Sequence, residues 1–192
     1  MRDSLQMLDV TKPTPLRLAG FVATALGAVL IAVGSLQTWV TISLANGALR
    51  APSPGTDFAD GKITLAAGVL LLIGILALRL ADGGSRRLIA ILMLLAALVA
   101  LGVGVNDAVR LKSRFEPAAV DKIAVALAPQ LGLPVDAVRT RVLAQADKLI
   151  HTEAGIGLWL VIAGGVVGLV GGLLDLAWVG RETLREEEVT PG

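Results

Sequence analysis

AGIGLWLVIAGGVVGLVGGLLDLAWV, residues Ala154 to Val179, is the stretch whose reading decides the fold. About 20 helical residues at about 1.5 Å each cover a hydrocarbon core of roughly 30 Å, so the stretch is long enough to cross a bilayer. Glycines recur at Gly157, Gly164 and Gly171, and again at Gly164, Gly168 and Gly172, which leaves one helix face almost bare backbone. A single carboxylate, Asp175, lies inside the apolar run. In lipid no water drives helices together, so close backbone approach through small residues has to supply the packing. This helix is therefore suited to close contact with another.

The rest of the chain has the same character. Of 192 residues, 55% are hydrophobic and 17% charged, with a mean hydropathy of +0.76. A soluble domain would carry about a quarter charged residues, so the class is integral membrane. Working outward from the last span, three more apolar runs cover about 16–38, 63–81 and 88–106. Trp39 follows the first at the far interface. The first run is too long for the apolar core of a cleaved leader and no small-residue cleavage site follows it, so it is read as a span. The expected fold is an all-α membrane protein: four spans over 16–180, a polar lead 1–15, a polar tail 181–192, and outer loops 39–62 and 107–153.

Both outer loops carry structure. Val40, Ile42 and Leu44 alternate with Thr41 and Ser43, then Asn46-Gly47 offers a type I′ turn, so a β-hairpin is expected over Trp39 to Arg50. A lone hairpin is marginal in water and has to rest on something. In the second loop Pro117 is read as the first-turn proline of a helix carrying Val120, Ile123, Ala124 and Leu127. Pro129 and Pro134 bracket a break. A second amphipathic helix, about Val135 to Ile150, is expected to feed directly into the last span. Its apolar face has two candidate partners, the β-hairpin and the lipid surface.

Charge sets an expected orientation. Arg2, Lys12, Arg17, Arg79, Arg86, Arg87, Arg181 and Arg185 fall on one side of the spans, against Arg50 and Lys62 in the short loop opposite. The positive-inside bias then puts both termini in the cytoplasm of a bacterial plasma-membrane protein. Net charge is +1, which provides no field for nucleic acid, and no nucleic-acid partner is expected. Cysteine is absent, so disulfides and thiolate chemistry are excluded.

Candidate functional residues are few. Gly20, Gly27 and Gly34 recur on the first span, and Ala96, Ala100 and Gly104 on the third. With Gly157, Gly164, Gly168, Gly171 and Gly172 they are read as helix-packing or partner-docking positions, the last span having more small positions than one neighbour needs. Arg79 and Asp175 lie near the same boundary, and an ion pair between them, or simple snorkelling, is favoured over a proton or ion relay. Trp39, Trp159 and Trp178 are read as interface anchors. Among hydroxyls in the spans, Thr24, Ser35 and Thr64 stand near ends or can bond back to their own helix. Asp57, Asp60, Glu116, Asp121 and Asp136 match no EF-hand spacing, and no metal or other cofactor is expected. His151 is read as an exposed interfacial side chain. Residues Gly55–Thr64 have the wrong spacing for a phosphate loop. No Ser-His-Asp or paired-carboxylate site can be assembled, so no catalytic residues are assigned.

Three short motifs carry a resemblance: Thr38-Trp39-Val40, Asp60-Gly61-Lys62-Ile63-Thr64-Leu65 and Gly155-Ile156-Gly157-Leu158-Trp159-Leu160. In these the membrane core and first outer loop resemble a broad group of largely uncharacterised actinobacterial four-span membrane proteins. The layout is also similar to claudin-like tetraspans, without their first-loop cysteine pair. The resemblance implies an architecture and no activity. The expected function is a non-enzymatic accessory or scaffolding subunit of a larger envelope complex such as a transporter, with membrane lipids and an integral-membrane protein as partners. A small homo-oligomeric channel or transporter, lined by the Thr24 and Ser35 side, is the alternative. A third reading is an outer-leaflet lipid-binding protein, working through Val135 to Ile150.

Overall fold

The computed structural model describes residues 15–44, 49–81 and 84–189. The polar lead, the Asn46-Gly47 turn, Asp82-Gly83 of the short loop after the second span and residues 190–192 lie outside them.

Four helices are long and apolar enough to cross a membrane: α1 (Pro15–Leu36), α2 (Ala59–Leu80), α3 (Gly84–Val109) and, after the cap described below, α6 (Ile156–Val189) over its Ile156–Arg181 part. They pack in a ring in which α1 touches α2 and α6, and α3 closes it by touching the same two. The α1–α6 contact is the most extensive. It is antiparallel, with Gly20 beside Asp175, Gly27 beside Gly168 and Gly34 beside Gly157. The start of α1 and the end of α6 therefore share one end of the bundle, here the terminal end. Its core runs through Ala28, Ile31, Leu71, Met93, Ala97 and Ala100.

At the other end sits the cap. Strand β1 (Thr38–Leu44) pairs antiparallel with β2 (Leu49–Pro54), as the alternation predicts. A third strand, β3 (Ile150–Ala154), pairs with the free edge of β1, giving the order β2-β1-β3. This corrects one expectation. Helix α5 (Val135–Leu149) does not feed directly into the last span, because the chain passes through β3 first. The physical reason is the marginality of a two-stranded hairpin: a third strand satisfies both edges of β1.

Helix α4 (Leu111–Leu131) also differs from its expected start, beginning six residues before Pro117 and holding both Pro117 and Pro129 inside it. The extra turns bring Leu111 under the Trp39 cluster and Phe115 into a buried contact with Val40 and Ile42. That burial offsets the cost of an interior proline, roughly 3 kcal/mol when unrelieved. Gly132 ends the helix at φ 64°, the left-handed conformation that glycine adopts without strain. Helices α4 and α5 then share their own small core of Ala124, Ala128 and Val138. The helical hairpin packs on the sheet through Phe115, Val120 and Val142. The tail beyond Val179 continues α6 as far as Val189.

Trp39 joins the two halves. The pairing of β1 with β2 shifts register between Thr38 and Val40, so Trp39 sits in a bulge. Trp39 packs into the end of the bundle against Leu158 and Val161, while Val40 packs into the cap against Phe115 and Val120. Both residues are fully buried. The Trp39 indole N–H donates to the Gly34 carbonyl at 3.0 Å, and its own carbonyl accepts from the Gly155 N–H at 2.7 Å.

Candidate functional site at the terminal end

The glycine positions are settled by what each faces. A Cβ at Gly27 would lie 2.5 Å from the Gly168 backbone nitrogen, and one at Gly34 would lie 2.7 Å from the Gly157 carbonyl. Gly164 abuts Gly27 and Ile31, and Gly171 abuts Thr24. Gly168 and Gly172 face Ala97 and Leu94 of α3, and Gly104 faces Ile162. Ala100 is buried in the same core and Ala96 packs at its edge. The surplus of small positions on α6 is thus taken up by two neighbours within the chain, α1 and α3. What α6 presents outward is Trp159, Val166, Val170 and Leu173.

The three motifs that carry the resemblance meet at one joint. Gly61 abuts Gly55, Gly55 abuts the Trp39 ring, Gly155 abuts Thr38, and Gly157 abuts Gly34 and Gln37. None of these contacts follows from spacing along the chain. Trp39 is therefore a core residue and not an interface anchor, its indole N–H satisfied by protein. Trp178 is likewise buried, and Trp159 alone of the three presents its ring at the surface. His151 is exposed on β3, and among the described residues no three His, Cys, Asp or Glu side chains gather as a metal site.

Three hydroxyls within the spans are turned inward. Thr24, Ser35 and Thr64 are fully buried. Ser35 and Thr64 share a hydrogen bond of 2.8 Å across the α1–α2 contact, and each also lies within hydrogen-bond reach of a carbonyl of its own helix, Ile31 and Gly61 respectively; one hydroxyl donates across the contact and the other to its carbonyl. Thr24 donates to a carboxylate oxygen of Asp175 at 2.9 Å.

Asp175 is the one place where these buried groups meet charge and open space. At the terminal end of the bundle a cleft of about 220 Å³ lies between Arg17 and Phe21 of α1, Ile75 and Arg79 of α2, and Asp175 and Trp178 of α6. Asp175 is only 3% exposed. Gly20 leaves room for it, since a methyl there would fall onto the carboxylate. The two arginines are held by rings. Arg17 lies 4.6 Å over Trp178 and Arg79 lies 4.4 Å over Phe21, with Arg86 of α3 also 5.8 Å from Trp178. Such contacts are worth about 0.5–2 kcal/mol each, depending on how dry the site is. Arg79 and Asp175 therefore line one cleft without forming an ion pair, each held by a different partner. The spacing held a clue to this grouping: Arg17 and Phe21, Ile75 and Arg79, and Asp175 and Trp178 are each three or four apart and so share a helix face.

Fold and site together define a four-span membrane protein with a small mixed cap at one end and a charged cleft at the other. The chain matches the family model described as tryptophan-associated transmembrane protein over residues 21–187, and it belongs to that family. No curated protein matches it.

Proposed function

We propose that the protein is a non-enzymatic accessory subunit of a larger membrane complex, seated in a bacterial plasma membrane with both termini in the cytoplasm. Arg17, Arg79, Arg86, Arg87 and Arg181 cluster at the terminal end, and the positive-inside bias supports placing that end in the cytoplasm. The cap then projects outward. The observation that carries the reading is a set of apolar side chains on the α4–α5 hairpin that the chain leaves uncovered: Val125, Leu131, Val135 and Leu143. Partner contact is assigned to this cap and not to the glycine faces, which are closed within the monomer. A pore between copies lined by Thr24 and Ser35 is disfavoured, because both hydroxyls lie inside one bundle.

The test is photocrosslinking in native membranes from probes placed at Val125 and Leu143, with Val170 on the lipid-facing side of α6 as control. A discrete protein adduct from the cap probes, lost on Leu143→Asp and not formed from Val170, is the expected result. Adducts to lipid alone at Leu143 would instead support the outer-leaflet lipid-binding reading and defeat this one.

A further inference from the structure

We propose that the cleft at the terminal end binds the headgroup of an ethanolamine phospholipid, its phosphate on Arg17 and Arg79 and its ammonium at Asp175. The argument begins with what the two arginines lack. A ring face satisfies the field of a guanidinium but accepts none of its five N–H donors. Among the described residues no carboxylate forms an ion pair with either arginine. Two fixed guanidiniums at the mouth of a cleft near a membrane boundary offer the donor geometry that a phosphate diester uses.

A phosphate alone leaves Asp175 unexplained. A carboxyl group on the floor of an anion site is a poor neighbour for a simple anion and a good acceptor for a cationic donor, so a ligand that carries both charges fits the lining better. Thr24 donates to one of the carboxylate oxygens, and the carboxylate still lines the cleft. A primary ammonium brings three donors to it; the methylated cation of choline brings none, and a glycerol headgroup brings no charge. The site thus matches a ligand with phosphate and ammonium a few bonds apart. The cleft of about 220 Å³ is many times the roughly 10–15 Å³ that a single water needs, so it has room for a small headgroup. The remaining wall, Leu18 and Leu78 with Phe21 and Ile75, is hydrocarbon, and Leu18 is half exposed. That wall suits the start of an acyl chain, which a soluble zwitterion would not use.

The full chain, purified and reconstituted with ethanolamine, glycerol or choline phospholipids of matched acyl chains, is examined for retained lipid by native mass spectrometry. The wild type is expected to retain the ethanolamine lipid at least about tenfold better than the other two, the factor that one charge-assisted hydrogen bond supplies. Asp175→Asn, which keeps an acceptor for Thr24, should lose that preference while still retaining phospholipid. The Arg17→Gln/Arg79→Gln pair should lose retention of all three lipids, with thermal unfolding monitored to confirm that each variant is folded. Equal retention of the ethanolamine and glycerol lipids by the wild type overturns the proposal without recourse to any variant. So does displacement of the bound lipid by free O-phosphoethanolamine at equal concentration, which would make the ligand a soluble zwitterion.

Discussion

The α1–α6 seam and the α4–α5 hairpin are held together by opposite means. Along the seam the contacting residues are Gly27, Gly34, Gly157, Gly164 and Gly171, so that one backbone lies directly on the other. The hairpin sets large side chains against the sheet: Phe115 and Val120 on Val40 and Ile42, with the Phe58 and Phe115 rings edge to face at 4.6 Å. Solvent explains the difference. In water, burial of a large apolar side chain stabilises by about 1.5–3 kcal/mol, and sequences meet that demand with bulk. Between lipid chains the same burial gains almost nothing, so attraction comes from the number of atoms at contact distance, and small residues maximise it. The two regions should then fail differently when altered.

The largest effect is expected from Gly27→Leu. Its new side chain meets backbone from Gly168 and Gly164, which cannot rotate away. The cost should exceed about 3 kcal/mol, beyond the usual range for an overpacked core, and the variant should fail to assemble a bundle. Gly102→Leu is the matched control on α3. Gly102 is exposed and nothing lies within 4 Å of a Cβ placed there, so it should unfold in detergent like the wild type. If the two variants behave alike, the seam is not what holds the spans together.

Val120→Ala probes the other region and should cost less. Val120 is 1% exposed, and loss of its two methyl groups should destabilise by about 2 kcal/mol. The loss should be confined to the cap: hydrogen exchange should rise in α4 and α5 and stay unchanged in α1 and α6. Spreading of the exchange into the bundle would mean that Trp39 couples the two cores into one cooperative unit.

The same contrast explains which parts of the molecule could be read from the chain. Spans are legible because twenty apolar residues in a row have few other uses, and the β1–β2 hairpin is legible because Val40, Ile42 and Leu44 keep a strict period of two. Strand β3 was not legible. Ile150–Ala154 is five residues long, follows an amphipathic helix without a breaking residue, and becomes a strand only because β1 has an open edge to pair with. The glycine pattern announced a contact face without naming its occupant, and the surplus assigned to a partner is used by α3. The cleft was partly legible. Asp175 and Arg79 could be placed at the same boundary, but the link from Asp175 to Thr24 spans 151 residues of sequence, and the aromatic supports of the arginines depend on how three helices are turned.

The smallest effect separates the cap from the bundle in another way. Arg139 of α5 donates to Asp121 of α4 at 2.7 Å, and its guanidinium also lies 3.6 Å from Asp136. Arg139 and Asp121 are about half exposed and Asp136 almost fully so, and water and salt weaken the pairing. Asp121→Asn should therefore cost only about 0.5 kcal/mol, and that difference should vanish at high ionic strength, where the Debye length falls to about 3 Å. The Ala124, Ala128 and Val138 core beneath would continue to hold the hairpin. A much larger loss, insensitive to salt, would mean that a partner or a lipid surface shields this pair from water. That outcome would place the contact surface on the charged face of the hairpin and not on Val125 and Leu143.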